Sequence, residues 1–243
     1  MKVFAFAAVV CAALVAVALC PMGAEATYGV DVSQQTYENA WSTTCITRAA
    51  LNFPHVHTPQ VQRVRFGVIR CFMSTGHPDP NCPHTIYNAW DGGMDHVDIY
   101  FFPCPTCGNP AGQIDAMVAN LAKYNIKPGN AKPGTYGMLW LDIEGPQYWT
   151  KDVGANRNFF SGLVSQAKAH GIHLGVYTRQ SQWSPIMGDW SGGSAFPLWY
   201  AHYDGSASFS DFRAFGGWSK PSIKQFAGTT SLCGAGVDKN WYP

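Results

Sequence analysis

Charged residues are scarce in this 243-residue chain, where Asp, Glu, Lys and Arg together make up 13% of the sequence. The 16 basic and 15 acidic residues leave a formal net charge of +1. A nearly neutral chain gives no electrostatic reason to expect nucleic acid or an anionic membrane surface as a partner. The sequence also lacks a Gly-x-Ser-x-Gly motif and the nucleotide-binding glycine motifs, which argues against esterase and kinase activities.

Two further kinds of site have no sequence support. The eight histidines include the pair His55-x-His57, but no second pair of ligands lies at a convincing spacing, so we expect no metal site. No Asn-x-Ser/Thr acceptor is present, so we do not expect N-glycosylation.

One long apolar run is present, at the amino terminus. Lys2 precedes the apolar residues 3–19, and the small-x-small tripeptide Ala24-Glu25-Ala26 follows them. This pattern predicts a secretory signal peptide over residues 1–26, cleaved after Ala26. A membrane anchor is the alternative interpretation, since the run is about 17 residues long. Without a later apolar stretch of that length, we expect residues 27–243 to form one exported domain with no stable membrane insertion.

Six cysteines lie outside the predicted signal peptide, an even number that indicates disulfides in an exported chain. Six cysteines allow fifteen pairings, and the sequence does not choose between them. Our working assignment pairs neighbours in sequence and joins the remaining two, giving Cys71 with Cys82, Cys104 with Cys107, and Cys45 with Cys233. Redox or zinc chemistry is the alternative for Cys104-Pro-Thr-Cys107, although no clear thioredoxin-type strand and helix surround it.

The rest of the chain alternates between strand-like and helix-like patterns for two-thirds of its length and then becomes mainly strand-like. The predicted strands cover residues 28–33, 65–72, 97–102, 136–144, 174–178, 196–203, 222–226 and 236–241. With no internal repeat or linker, this order predicts an α/β fold. Specifically, we expect a modified TIM-like (β/α) barrel, with β/α units first and mainly β-strands in the last third.

Acidic residues follow several of these strands. Asp142 and Glu144 stand at positions i and i+2 of an apolar strand, so they share one face about 7 Å apart along the backbone. Asp31 ends the first strand, and Asp238 lies in the last. In such a barrel the carboxyl ends of the strands form the active site, and paired carboxyl groups are suited to hydrolysing a glycosidic bond. The alternative is a strand that simply ends in polar, solvated residues.

Short segments in a fixed order give the chain a resemblance to the glycoside hydrolase family 25 lysozymes, the Chalaropsis-type muramidases. Each segment is weakly specific, but the ordered set spans nearly all of residues 27–243. The segments are Gly29-Val30-Asp31-Val32-Ser33, Leu141-Asp142-Ile143-Glu144, Gly175-Val176-Tyr177-Thr178-Arg179-Gln180-Ser181-Gln182-Trp183, Leu198-Trp199-Tyr200-Ala201-His202-Tyr203, Ile223-Lys224-Gln225-Phe226 and Val237-Asp238-Lys239-Asn240.

The resemblance implies a flattened β/α barrel whose later repeats lose their helices. It implies hydrolysis of the β-1,4 bond between N-acetylmuramic acid and N-acetylglucosamine in peptidoglycan, with retention of configuration and with no metal or organic cofactor. Matched by position, Glu144 corresponds to the general acid/base, and Asp142, Asp31 and Asp238 correspond to supporting acids. We expect burial and neighbouring Asp charges to keep Glu144 protonated.

Tyr177, Trp199, Tyr203 and Gln225 are candidates for lining the sugar subsites, with ordinary core packing as the alternative. Asp142 either attacks the anomeric carbon or supports attack by the substrate's own acetamido oxygen. We favour the second route because the acids form one cluster rather than two opposed walls.

The chain departs from the bacterial pattern in its six cysteines and in Asp98-Ile99-Tyr100, where bacterial members often have a histidine-containing segment. By analogy, these departures suggest an exported eukaryotic-like enzyme, secreted or lysosomal (in a digestive vacuole), that is used against bacteria or to digest them. A monomer is the default expectation. The competing functions are a chitinase-like hydrolase and a catalytically silent peptidoglycan-binding lectin.

Overall fold

The computed structural model describes residues 26–42, 45–46 and 63–243. Apart from Ala26, the predicted signal peptide lies outside the described residues, as do His55 and His57. Within the described part of the chain, no helix combines the length and the apolar character needed to cross a bilayer. The proposed domain limits, residues 27–243, stay a prediction.

Eight strands close into a barrel. In barrel order they are β1 (Thr27–Val32), β11 (Ala235–Tyr242), β10 (Ile223–Leu232), β9 (Leu198–Ala201), β8 (His173–Thr178), β7 (Met138–Asp142), β4 (His96–Phe101) and β2 (Val64–Met73). Pairing of β1 with β2 completes the ring, and the two-residue strand β3 (His77–Pro78) extends β2 outside it. Strands β5 (Lys127–Pro128) and β6 (Thr135–Tyr136) form a separate two-stranded sheet.

The strand directions change in the last part of the ring. From β1 through β2, β4, β7, β8 and β9 to β10 the neighbouring strands are parallel, whereas β11 is antiparallel to both β10 and β1. Parallel neighbours need a crossover connection, but the hairpin from β10 to β11 needs only a tight turn. The predicted modified barrel, with its helices concentrated in the first two-thirds, is therefore confirmed.

Five α-helices are present among the described residues. They are α1 (Glu38–Trp41), α2 (Cys82–Asp91), α3 (Pro110–Ala122), α4 (Val153–Ala169) and α5 (Gln180–Met187). Helices α3 and α4 pack against each other outside the ring, and the apolar residues on the helix faces join the outward-facing strand residues in the larger core.

A smaller core fills the barrel interior. Its buried residues include Phe66, Trp140 and Trp199. These rings approach the opposing backbone so closely that an ideal Cβ on Gly29 would lie 2.4 Å from Phe66, and one on Gly175 would lie 2.3 Å from Trp140. The barrel interior is thus a packed core, and glycine at these positions makes room for large aromatic side chains.

The strand predicted over residues 136–144 is shorter than expected. Strand β7 begins at Met138 and ends at Asp142, while Tyr136 belongs to the separate sheet. Asp98 explains the start of the strand, since its Oδ1 accepts a hydrogen bond from the Met138 amide at 2.9 Å. Gly145 adopts a positive φ of 64°, which turns the chain away from the sheet after Glu144.

Three disulfides join Cys45 to Cys233, Cys71 to Cys82 and Cys104 to Cys107. These are the pairs of our working assignment. The first connects the turn between β10 and β11 to the segment after α1, across a sequence separation of 188 residues. It therefore attaches the antiparallel hairpin to the opposite end of the chain.

Candidate active site

A small cavity of about 80 Å³ lies at the mouth of the barrel where β1, β4, β7 and β8 end. All eight candidate catalytic and sugar-binding residues line it, together with one residue that we did not predict. The lining consists of Asp31, Tyr100, Asp142, Glu144, Tyr177, Trp199, Tyr203, Gln225 and Asp238. The sequence-based grouping therefore describes one place in the fold.

Asp31 is buried between two amide side chains. Its Oδ2 accepts hydrogen bonds from Gln225 Nε2 at 2.8 Å and from Asn240 Nδ2 at 2.7 Å. Burial, followed by the charge of Asp238, raises the pKa of Asp31 to about 7 against these two opposing hydrogen bonds. Asp238 is its direct cross-strand partner between β1 and β11. The closure of the barrel is what brings these two acids together.

Gln225 connects four members of the site. Its Nε2 donates to Asp31 and, at 3.2 Å, to Asp238, while its Oε1 accepts from Tyr177 at 2.7 Å and from Tyr203 at 2.8 Å. Both ends of the amide are therefore engaged. Because the side chain is also buried, its contribution in this structure is to orient the acids and tyrosines.

Asp238 is held from a second direction. The Thr229 amide donates to its Oδ1 at 2.6 Å, and Thr229 has a positive φ of 55°. A β-branched residue rarely adopts that conformation, so the backbone of the β10–β11 hairpin is strained at Thr229, where it donates to Asp238. Burial raises the pKa of Asp238, while the hydrogen bond from Thr229 opposes the rise.

Asp142 and Glu144 differ in their surroundings. Asp142 is buried, and among the described residues its Oδ1 has no hydrogen-bond partner. Burial, and then the charges of Glu144 and Asp31, raise its pKa well above the usual value. Glu144 is only partly buried, and burial raises its pKa while the positive charge of Arg179 opposes the rise. We did not predict from the sequence that an arginine would oppose the rise in the pKa of Glu144.

The backbone around Glu144 is fixed by side chains. Trp149 Nε1 donates to the Glu144 carbonyl at 3.0 Å, and the Gly145 amide donates to Gln182 Oε1 at 2.8 Å. Thr178 Oγ1 donates to the Ile143 carbonyl at 2.7 Å. The segment that carries Glu144 has therefore left the strand, but its position is still determined by contacts with β8 and α5.

The aromatic candidates divide into exposed and buried residues. Tyr203 is 55% exposed, whereas Tyr177 and Trp199 are buried. Trp199 packs edge-on against Tyr177 and donates from Nε1 to Asn240 Oδ1 at 2.8 Å. Of the aromatic residues that we predicted to bind sugar, only Tyr203 offers a substantial free surface. The core-packing alternative describes the other two well.

Two residues of this site were missed by the sequence reasoning. Tyr100 lines the cavity one residue before the end of β4, and Asn240 joins Asp31 to Trp199. Asn240 stood within one of the segments used for the resemblance, which was an available signal. For Tyr100, the only signal in the sequence was its position near the end of a predicted strand.

One group of potential metal ligands occurs among the described residues, away from the acid cavity. His202, Asp204 and Asp211 could share a cation. However, Lys224 Nζ already contacts Asp204 at 2.8 Å and Asp211 at 2.7 Å, so an internal ammonium group supplies the positive charge there.

A closed β/α barrel with several carboxyl groups at its carboxyl-terminal mouth has the architecture and the groups that glycoside hydrolysis requires. A family model described as Lysozyme-like protein 1 matches residues 23–226. The chain is 52% identical over 215 residues to probable GH family 25 lysozyme 2 of Dictyostelium discoideum, covering 88% of this chain and 90% of that protein. It is 35% identical over 228 residues to lysozyme-like protein 5 of Caenorhabditis elegans, covering 92% and 95%.

Solved structures agree in fold. The muramidase from Acremonium alcalophilum matches with a TM-score of 0.66 and 21% identity, over 89% of this chain and 93% of that one. The chain belongs to the glycoside hydrolase family 25 lysozymes, and it is a glycosidase. The resemblance proposed from the sequence is thereby confirmed.

Proposed function

We propose that this protein is an N-acetylmuramidase that hydrolyses the β-1,4 bond between N-acetylmuramic acid and N-acetylglucosamine in bacterial peptidoglycan, with retention. Its similarity to proteins named lysozymes and muramidases supports the substrate class. The observation that carries the assignment of residues is the convergence of Asp31, Asp142, Glu144 and Asp238 on one cavity.

Glu144 serves as the general acid/base. It is the member of the acid pair that is partly exposed, so it can reach a glycosidic oxygen in the open part of the mouth. Burial raises its pKa, which favours the protonated form needed to donate to the leaving sugar. After that donation, the carboxylate removes a proton from the incoming water.

Asp142 supports attack by the substrate's acetamido oxygen. Asp142 lines the cavity and its Oδ1 has no partner among the described residues, so we assign this oxygen as the acceptor for an acetamido N–H. Such a hydrogen bond stabilises the ionised form of Asp142. A proton held by the acid pair is then favoured on Glu144 rather than on Asp142. A deeply buried carboxyl group with a raised pKa is a poorer direct nucleophile, so substrate assistance remains our preferred route over covalent attack.

The test is the variant Glu144→Gln, with Glu38→Gln on the exposed first turn of α1 as the matched control. We expect E144Q to keep its fold and its binding to purified cell wall while hydrolysis falls about 10²- to 10⁴-fold, the usual contribution of general acid–base catalysis. Mass analysis of the digest should find muramic acid at the new reducing ends and leave chitin intact. Retention is read separately, from the anomeric configuration of the first product by NMR.

Each competing function has its own outcome. Hydrolysis of chitin without muramic-acid ends would indicate a chitinase-like enzyme, and wall binding without hydrolysis by the parent would indicate a lectin. Unchanged hydrolysis by E144Q would mean that the acid is misassigned. Export, supported by the sequence pattern, and a role against bacteria or in digesting them, supported by analogy, complete the proposal. A monomer is the default expectation.

A further inference from the structure

The mouth of the barrel has an uneven distribution of charge. Four carboxyl groups line the cavity, and two arginines influence their pKa values, Arg70 at Asp142 and Arg179 at Glu144. Arg70 is already engaged, since its Nε contacts Asp79 Oδ2 at 2.8 Å and the Asp79 side chain is only 2% exposed. Arg70 is therefore not free to receive an acidic group from a ligand.

Arg179 is in a different situation. It follows the last residue of β8 and precedes α5, and its side chain is exposed. Its backbone is held at the same mouth of the barrel as the segment that carries Glu144, because Thr178 donates to the Ile143 carbonyl and Gln182 accepts from the Gly145 amide. Even so, none of the described residues forms a salt bridge with Arg179, although the mouth is rich in carboxyl groups. A guanidinium group placed this way is available to an anion from solution.

The opposite side of the mouth lacks such a group. A groove of about 470 Å³ continues the acid cavity past Asp31, Tyr100 and Asp238. Five of its seven other lining residues carry hydroxyl or amide side chains, namely Ser33, Gln34, Thr229, Thr230 and Ser231. No cationic residue lines the groove among the described residues. Such a groove suits neutral sugar hydroxyls, whereas an anionic substituent there would face Asp31 and Asp238 with no compensating charge.

We propose that Arg179 is a specificity-determining residue that binds a carboxylate on the muramyl side chain of peptidoglycan. This inference rests on the proposed function. N-acetylmuramic acid differs from N-acetylglucosamine by its lactyl ether, which carries either a free carboxylate or a stem peptide with its own carboxylates. The planar guanidinium group can donate two parallel hydrogen bonds to either one. Arg179 therefore distinguishes peptidoglycan from an uncharged chitin chain.

The test measures binding in the catalytically inactive background, so that neither turnover nor the titration of Glu144 contributes. Calorimetry compares E144Q with the double variant E144Q/R179Q. The ligands are muramyl glycan oligomers stripped of peptide, the same oligomers with the lactyl carboxylate converted to an amide, peptide-bearing oligomers, and chitin oligomers. We expect R179Q to weaken binding of the anionic glycans roughly fivefold to tenfold, as for an exposed charge-assisted pair, and to leave the two neutral ligands unchanged.

The control variants separate charge from position. R179K should retain part of the affinity because it keeps the charge but loses the planar fork, and added salt should reduce the difference between E144Q and E144Q/R179Q. Arg63→Gln, which removes an exposed arginine just before β2 at the other end of the barrel, should change nothing. A loss only with peptide-bearing ligands would assign the contact to the stem peptide, and a loss with stripped glycan would assign it to the lactyl group.

Equal weakening for neutral and anionic ligands, or no difference between R179Q and R63Q, would overturn the inference. The proposed function fails on other evidence, namely a parent enzyme that releases no muramic-acid ends. The two failures are therefore distinguishable.

Discussion

Lys224→Met should destabilise the protein through a group that no substrate touches. The Lys224 side chain is fully buried, and its Nζ donates to Asp204 at 2.8 Å, to Asp211 at 2.7 Å and to the Ser208 carbonyl at 2.9 Å. These partners lie in the long connection between β9 and β10, which also carries Tyr203. Methionine has a similar volume but provides neither the charge nor the hydrogen bonds.

The magnitude follows from what remains after the substitution. Burial acts to raise the pKa of Asp211, but hydrogen bonds from Lys224, His202 and Tyr200 outweigh it and hold the pKa at about 2, against an ordinary 3.8. That difference corresponds to about 2 kcal/mol, of which we assign about 1 kcal/mol to Lys224 after allowing for solvent at this partly exposed carboxylate. Loss of the contacts to Asp204 and Ser208 adds a similar amount. We expect a decrease of about 2 to 3 kcal/mol in the free energy of unfolding.

Thermal unfolding at pH 6 measures this directly. For a domain of this size, such a loss lowers Tm by roughly 4 to 12 °C. Because the pKa of Asp211 is lowered by folding, the stabilisation is present above about pH 4 and is lost as the pH falls towards 2. The deficit of K224M should therefore shrink below pH 4. Lys220→Met, at an exposed lysine four residues away, is the control and should leave Tm unchanged.

A Tm for K224M within 1 °C of the parent at pH 6 would refute the reasoning, as would a deficit that does not change with pH. The first result would mean that burying the ammonium group costs as much as its contacts return, which is known for some buried ion pairs.

Two further predictions concern the interior of the barrel. Asp31→Asn should raise Tm more at pH 8 than at pH 5 while reducing hydrolysis. Folding raises the pKa of this acid to about 7, so its ionisation destabilises the folded state as the pH rises from about 4 to 7. An equal change in Tm at both pH values would contradict this. Gly175→Ala should cost about 1 to 3 kcal/mol in chemical denaturation because its Cβ would lie 2.3 Å from the Trp140 ring. The control Gly236→Ala, whose Cβ would meet nothing closer than 3.6 Å, should cost clearly less, and equal losses would show that ring contact is not the cause.

Much of the barrel could be predicted because its buried parallel strands are continuous apolar runs. In β1 every residue from Thr27 to Val32 is buried, and the sequence there is strand-like without any partner being known. The two limits of β7 were harder to predict, because they depend on contacts from distant residues. At its start, Asp98 accepts a hydrogen bond from the Met138 amide. Beyond its last residue, Gln182 accepts a hydrogen bond from the Gly145 amide. Local periodicity contains no information about such partners.

The same distinction applies to the site. The four acids could be grouped because each follows or occupies a recognisable strand, and strand ends meet at one mouth. The connecting role of Gln225 could not be predicted, since it depends on the closure that pairs β1 with β11 and places Asp31 opposite Asp238. Lys224 adjoins Gln225 in sequence but points to the opposite side of the strand, so its role also required the fold.

The arrangement of donors also indicates where the protons of this acid cluster reside. Asp31 accepts two amide hydrogen bonds, and Asp238 accepts one from Gln225 and one from the Thr229 backbone. Donors of this kind stabilise the ionised form. On the other side of the cavity, Asp142 Oδ1 has no donor among the described residues, and burial disfavours its charge. These donors oppose the rise in the pKa of Asp31 and Asp238, so a proton is favoured more strongly on the pair formed by Asp142 and Glu144 than on the side of β1 and β11. Glu144 is the partly exposed member of that pair, so a proton held there can reach a glycosidic oxygen.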